Sequence, residues 1–66
     1  MIIPLYERVT VQAQPAYLNA EKENVVGQLT TVIGFTNMTN QPYYKLDFDN
    51  KIGNLPREIW IPAHCL

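Results

Sequence analysis

The chain has one cysteine, few positive charges and no long apolar segment. A single thiol, Cys65, cannot form an intramolecular disulfide, and one Cys with one His cannot complete a tetrahedral zinc site. A helix that crosses a bilayer needs about 20 apolar residues in a row, and no run approaches that length. We therefore expect no structural metal, no cofactor and no membrane span, so that stability must come from packing.

The positive charges are too few and too scattered for a phosphate-binding surface. Five Lys and Arg residues against six Asp and Glu residues give a formal net charge of −1 at pH 7. Binding to phosphates requires clustered cations that displace counterions. This disfavours nucleic acid as a partner but leaves a local basic patch open. The first residues contain neither a basic stretch nor an apolar run long enough for a signal-peptide core. Together with the free thiol, which fits a reducing compartment, this predicts a cytoplasmic protein.

Length and composition predict one globular domain over residues 1–66. A chain of 66 residues is long enough for a single core, and 47% hydrophobic residues is an ordinary share for a folded domain. Such a short chain buries only about 60% of its unfolded surface, so its stability is marginal. Assembly with a protein partner, or with further copies of the chain, would add buried surface.

Short runs with a period of two residues, separated by turn residues, predict an all-β protein. The predicted strands cover residues 7–13, 28–35, 43–49 and 58–61. We expect the following side chains to face the core: Val9, Val11, Ala13, Leu29, Thr31, Ile33, Phe35, Tyr44, Leu46, Phe48, Ile59 and Ile61. Gly34 predicts a bulge or sharp bend, because an isolated glycine within a strand often marks one.

The connections between these strands differ in length. Gln14–Val26 is the longest, and long loops in compact domains are often functional. Residues 20–23 fit one helical turn capped by Asn19. Residues 36–42 predict a polar turn, residues 50–56 a hairpin loop, and residues 62–65 a 3₁₀ turn before Leu66 docks.

These elements predict a small, strongly bent barrel of five strands. The fifth strand would be very short or would be supplied by residues 2–5, and the alternative is that residues 1–5 dock on another chain. Closing the sheet into a barrel removes the exposed edges that favour aggregation.

The chain resembles the SH3-like small β-barrels in three segments. Gly27-Gln28-Leu29 opens the second strand after a long first loop, residues 43–48 match a central strand with aromatics and acids, and residues 61–66 match a proline-led turn. The resemblance implies a five-stranded SH3-like barrel with a long first loop and a 3₁₀ turn near the C-terminus.

The same resemblance suggests a peptide-binding surface. SH3 domains bind proline-rich ligands on aromatics from the first loop, the central strand and the proline turn. The matching positions are Tyr17, Tyr43 and Pro62, with Trp60 nearby. The plasmid-type dihydrofolate reductases look similar through Gly27-Gln28-Leu29, residues 36–39 and the Ile-Pro-x-x-x-Leu end over residues 61–66. Their Gln-Ile-Tyr run is replaced here by Ile59-Trp60-Ile61. The resemblance therefore extends to the fold and not to that activity.

Two groups of reactive side chains lack the partners that catalysis or metal binding requires. Asp47 and Asp49 share a strand face, but no His or nucleophile accompanies them, so we expect a solvated face paired with Lys45 or Lys51. His64 and Cys65 lack an orienting carboxylate and an oxyanion hole. We therefore expect no catalytic residue and no metal site.

The leading hypothesis is a small non-enzymatic protein–protein interaction module. Trp60 and Tyr43 fall on the outward sides of their strands, and exposed aromatics mark binding surfaces. We read the chain as a phage or bacterial accessory, adaptor or inhibitor protein that docks on one partner through these residues and the long first loop. Two alternatives stay open: a nucleic-acid-binding small barrel, and an oligomeric enzyme whose site forms only at a symmetry axis.

Overall fold

A computed structural model of the chain describes residues 2–66 and contains four strands in one antiparallel sheet. The strands are β1 (Arg8–Thr10), β2 (Leu29–Met38), β3 (Gln41–Phe48) and β4 (Glu58–Pro62), in the order β1-β2-β3-β4. A 3₁₀ turn over Ala63–Cys65 follows β4. The predicted all-β class, the four strands in sequence and the 3₁₀ turn are confirmed, whereas the described residues form one open sheet and no closed barrel of five strands. No helix among the described residues has the length and apolarity to cross a membrane.

The core is centred on β3, where the alternation in the sequence predicts the burial correctly. Tyr44, Leu46 and Phe48 are 1%, 0% and 2% exposed. Ile61 on β4 is buried against them, and Ile59 packs at the margin of the same cluster. These side chains lie on one face of the sheet because successive residues of a strand point to opposite faces.

The predicted side assignment of β2 is wrong for its first half. Thr30 and Val32 are fully buried, whereas Leu29 is 44% exposed. A threonine can occupy this interior position because its hydroxyl donates to the Val9 carbonyl at 3.0 Å, so the buried polar group has a partner. The sequence pattern alone favoured the apolar Leu29 over the polar Thr30.

The predicted bulge in β2 is confirmed. The pairing with β3 moves from Val32 opposite Leu46 to Gly34 opposite Lys45, so one extra residue is inserted at Ile33. A bulge of this kind reverses the side on which the following residues lie. As a result Phe35 shares the face of Tyr44, with ring centroids 5.1 Å apart, although it remains 51% exposed.

The first strand is shorter than predicted. Val11 is buried, but Ala13 is exposed and lies outside β1. The main chain leaves the sheet at this point because the N–H groups of Gln12 and Ala13 both donate to the carbonyl of Cys65, at 2.7 and 3.0 Å. The first strand is thus connected to the 3₁₀ turn after β4.

The polar segment 36–42 is mostly strand and not a turn. β2 continues to Met38 and β3 begins at Gln41, which leaves Thr39 and Asn40 as a two-residue hairpin loop. Both loop residues have positive φ, at 47° and 63°, as a type I′ turn requires. The polar composition identified the turn, but the positive φ values restrict it to its two central residues.

We expect the double substitution T39N/N40G to stabilise the protein. Positive φ is strained for a β-branched residue such as Thr39, and Asn-Gly is the pair that type I′ turns prefer. Relief of this strain should add about 1 kcal/mol to the free energy of unfolding. For a domain of this size that corresponds to a rise in Tm of about 4–8 °C, measurable by circular dichroism. An unchanged or lower Tm would contradict the assigned turn.

The first loop contains no regular element, as predicted, and is held by its own polar side chains. The Gln14 amide donates to the Glu23 carbonyl and accepts from the Val25 N–H, both at 2.9 Å. These two bonds fix Val25, which is fully buried, across the base of the loop. Asn19 accepts from the Glu21 N–H within a single turn that does not extend into a helix.

The N-terminal segment forms no strand over residues 2–5, so the predicted fifth strand is not found there. It is attached by the Ile3 N–H, which donates to the Tyr44 hydroxyl at 2.9 Å. Ile2 is 84% exposed and Leu5 is 56% exposed. Met1 lies outside the described residues. The prediction that the N-terminal segment supplies a strand is therefore compared with the structure over residues 2–5.

Candidate functional site

The outer face of the sheet carries the side chains that β3 does not bury. Tyr43 and Lys45 alternate with the core residues of β3, and in the register with β4 they lie opposite Pro62 and Trp60. On the other side, Lys45 lies opposite Gly34 of β2. Gly34, Lys45 and Trp60 therefore form a row across three strands on the outer face of the sheet.

An exposed groove of about 450 Å³ lies on this face, and we call it the aromatic groove. It is lined by Tyr17, Met38, Tyr43, Glu58, Ile59 and Trp60. Tyr17, Tyr43 and Trp60 supply aromatic rings, Met38 adds an apolar side chain, and Glu58 is the one charged residue of this almost entirely apolar lining. Met38 is 57% exposed and Tyr17 is 55% exposed, so the lining is open to a ligand.

The Trp60 ring is held in place by its neighbours on the sheet. A Cβ at Gly34 would lie 3.5 Å from the Trp60 ring and only 3.2 Å from the Lys45 Cβ, so glycine gives both side chains room to lie against β2. The Lys45 ammonium is 5.9 Å from the Trp60 ring centroid and 3.4 Å from the Glu58 carboxylate. These contacts fix the ring by a cation–π interaction while 40% of the side chain stays exposed.

Tyr17 joins the first loop to the groove through its hydroxyl, which donates to the main-chain carbonyl of Trp60. Burial of the phenol, followed by the nearby Tyr43 and Cys65, raises the pKa of Tyr17 to about 12. A phenol that remains protonated keeps its hydrogen for this bond. The long loop is thereby attached to β4 at the groove.

We expect one tyrosine of the protein to ionise at a pH of about 12, because burial opposes formation of the phenolate of Tyr17. The raised pKa also means that this group contributes stability that is present below its unfolded pKa and is lost as pH rises through the folded pKa. An ultraviolet absorbance titration of the native protein measures the step. Tyr17→Phe should remove it, and persistence of the late step in that variant would assign it elsewhere.

The structure brings together three of the four residues predicted to bind a partner. Tyr17, Tyr43 and Trp60 line one groove, although they come from the first loop, β3 and β4. Pro62 lies opposite Tyr43 in the sheet but is buried and does not line the groove. Met38 was missed because the segment around it was assigned to a turn, and only its position at the end of β2 places it here.

The acidic pair and the His-Cys pair are separated into unrelated contacts. Asp49 accepts two hydrogen bonds from the Arg8 guanidinium, which holds the pKa of that carboxyl below its usual range. The predicted pairing of Asp49 with Lys45 or Lys51 is therefore wrong. Asp47 forms no ion pair within residues 2–66.

His64 and Cys65 also point apart. The His64 Nδ1 lies 2.8 Å from the Gln41 side-chain nitrogen, whereas Cys65 is buried, and burial raises the pKa of its thiol. A raised thiol pKa lowers the fraction of reactive thiolate. Within the described part of the chain, no three His, Cys, Asp or Glu side chains are grouped so as to hold a metal ion.

Comparison of the chain with protein-family models, with curated proteins and with solved structures finds no match. The groove has aromatic walls and an attached first loop, and its one carboxylate, Glu58, is paired with Lys45.

Proposed function

We propose that the protein is a non-enzymatic protein–protein interaction module with an SH3-like barrel fold, which binds an extended segment of a partner protein in the aromatic groove. The observation that carries the proposal is the convergence of Tyr17, Tyr43 and Trp60 on one exposed apolar groove. Tyr and Trp are enriched among the residues that supply most of the energy of protein interfaces.

The SH3-like fold is supported by contacts between the two ends of the sheet. The Gln12 and Ala13 N–H groups donate to the Cys65 carbonyl, and the Tyr17 hydroxyl donates to the Trp60 carbonyl. These contacts fit one antiparallel register, in which residues 12–17 run beside residues 60–65.

Two prolines explain why this register does not become a regular ladder. In the register that pairs residue 12 with residue 65, Pro15 falls opposite Pro62, and both are buried. Neither proline has an N–H group, so the ladder is interrupted at its centre. The first loop therefore covers the edge of β4 and takes the place of a closing strand.

The covered edge also selects the kind of ligand. Because Tyr17 occupies the Trp60 carbonyl, the groove lacks this main-chain acceptor for an added strand. It offers ring faces instead, on which an extended polyproline-type segment packs without needing a ladder. We therefore assign a proline-containing or otherwise extended apolar segment as the ligand.

The experiment is affinity capture from a lysate of the source cells, with mass-spectrometric identification, with and without nuclease. We expect one stoichiometric protein that the unaltered chain retains after nuclease treatment. Met38→Glu should lose that protein, because a charge at the 57% exposed rim of the groove would have to be desolvated on binding.

Val26→Glu is the matched control, since Val26 is an exposed apolar residue of the first loop that does not line the groove. It should retain the partner. Retention by Met38→Glu, or partners that disappear with nuclease, would contradict a protein-binding groove. Three further statements stay predictions: the accessory or inhibitor role, the phage or bacterial origin, and any homo-oligomer. The identity of the captured protein tests the accessory or inhibitor role.

A further inference from the structure

A second groove, of about 690 Å³, shares no residue with the aromatic groove. It lies between β1 and the N-terminal segment on one side and the 3₁₀ turn on the other. Its apolar lining includes Ile3, Val9, Tyr44, Ala63 and Leu66. Tyr43 and Tyr44 are adjacent in β3 and point to opposite faces, so each lines a different groove. We call this second site the strand groove.

The main chain of β1 shows which of its groups face this groove. The Val32 N–H donates to the Glu7 carbonyl at 2.9 Å, and the Val11 N–H donates to the Gln28 carbonyl at 3.1 Å. Along an antiparallel pair, residues that exchange hydrogen bonds alternate with residues that do not. Glu7, Val9 and Val11 therefore direct their main-chain groups toward β2.

Arg8 and Thr10, between them, direct their N–H and carbonyl groups away from β2. Gln12 continues the alternation, and its N–H does point outward, since it donates to the Cys65 carbonyl at 2.7 Å. The Thr10 carbonyl receives only a long contact of 3.4 Å from the Gln12 side chain. The edge of β1 thus presents main-chain donors and acceptors beside an apolar groove.

From this geometry we infer that the strand groove binds a short extended strand of a partner protein, which adds to the edge of β1. The strand would exchange main-chain hydrogen bonds with Arg8 and Thr10 and place alternate apolar side chains beside Val9 and Tyr44. Strand addition obtains affinity from the main chain and specificity from pockets for alternate side chains. This site is separate from the proposed aromatic groove and gives the module a second, different ligand.

Charge favours a strand that carries a cation at one end. Glu7 lines the groove, is exposed, and forms no ion pair within residues 2–66. Arg8 cannot neutralise it, because its guanidinium is bonded to Asp49 and Thr31. A second copy of β1 would bring another Glu7 and another engaged Arg8, so a different chain with a Lys or Arg is the better occupant.

The test uses a phage-displayed library of random segments of about nine residues, the upper range of strand length, selected on the immobilised full chain. We expect selected segments that alternate apolar and polar residues and carry one Lys or Arg. Thr10→Pro removes an outward N–H and should weaken their binding about tenfold. Glu7→Gln should weaken it by about 2- to 5-fold, and Trp60→Ala should leave it unchanged.

Amide hydrogen exchange of the unaltered protein gives a measurement that does not depend on folding of the proline variant. A bound segment should slow exchange at Arg8 and Thr10. If the selected segments lose affinity for the Trp60→Ala variant and leave these amides unprotected, they bind the aromatic groove. That result would overturn strand addition and leave the proposed function intact. A library that yields no binder to the strand groove would also overturn it.

Discussion

Replacing Trp60 with alanine is expected to weaken binding of the captured partner by at least about 30-fold. Central aromatic residues of interfaces typically contribute at least 2 kcal/mol, and each 1.4 kcal/mol is about a tenfold change in affinity. Trp60 is the largest side chain of the aromatic groove, and its contacts with Lys45 and Gly34 already restrict it. Its side chain therefore loses little conformational entropy when the partner binds.

This variant isolates the ring because the rest of the groove does not depend on it. The Tyr17 hydroxyl is bonded to the main-chain carbonyl of residue 60, which alanine also has, so the first loop should keep its place. Titration calorimetry with the purified partner measures the affinity, and circular dichroism checks the fold. Trp60→Phe is the control and should recover part of the loss. Unchanged affinity in a folded Trp60→Ala protein would remove the aromatic groove as the binding site.

Leu46→Ala is expected to have the largest effect on stability. Leu46 is fully buried on β3, between β2 and β4, where it lies opposite Val32 and Ile59. Removal of a buried leucine side chain costs about 2–5 kcal/mol, because the transfer energy is lost and a cavity remains. A protein of this size has a free energy of unfolding of roughly 3–10 kcal/mol, so the variant should lose a large part of its stability.

Urea denaturation followed by tryptophan fluorescence measures this loss as a shift in midpoint. The matched control is Leu29→Ala, which removes the same atoms from a side chain that is 44% exposed at the start of β2. We expect that change to cost less than about 1 kcal/mol. Equal losses at the two positions would contradict the assignment of Thr30, and not Leu29, to the core.

The alternation in β3 could be predicted because it is complete. Tyr44, Leu46 and Phe48 are large and apolar, and polar or amphipathic residues stand between them, so only one face could be buried. The 3₁₀ turn was equally predictable, since Pro62 ends the pairing of β4 and has no N–H group to continue the ladder. In both cases the local pattern and the global fold favour the same arrangement.

In β2 the sequence favours one of two possible inner faces, and it is the wrong one. Leu29, Thr31 and Ile33 are favoured over Thr30 and Val32, because Leu29 is apolar and Thr30 is polar. The structure decides between them through the Thr30 hydroxyl, which finds the Val9 carbonyl. A bond between strands that lie far apart in the chain leaves no trace in local periodicity.

The sequence by itself determined the all-β class, the central strand and the aromatic residues of the candidate site. These follow from local side-chain alternation and turn residues, which act over a few positions. The tertiary structure alone decided that Tyr17 meets Trp60, that Met38 joins them, and that Pro62 is buried. It also left the edge of β1 facing a groove. Those outcomes depend on how the sheet bends and where the first loop crosses it, which only the packing of all four strands fixes.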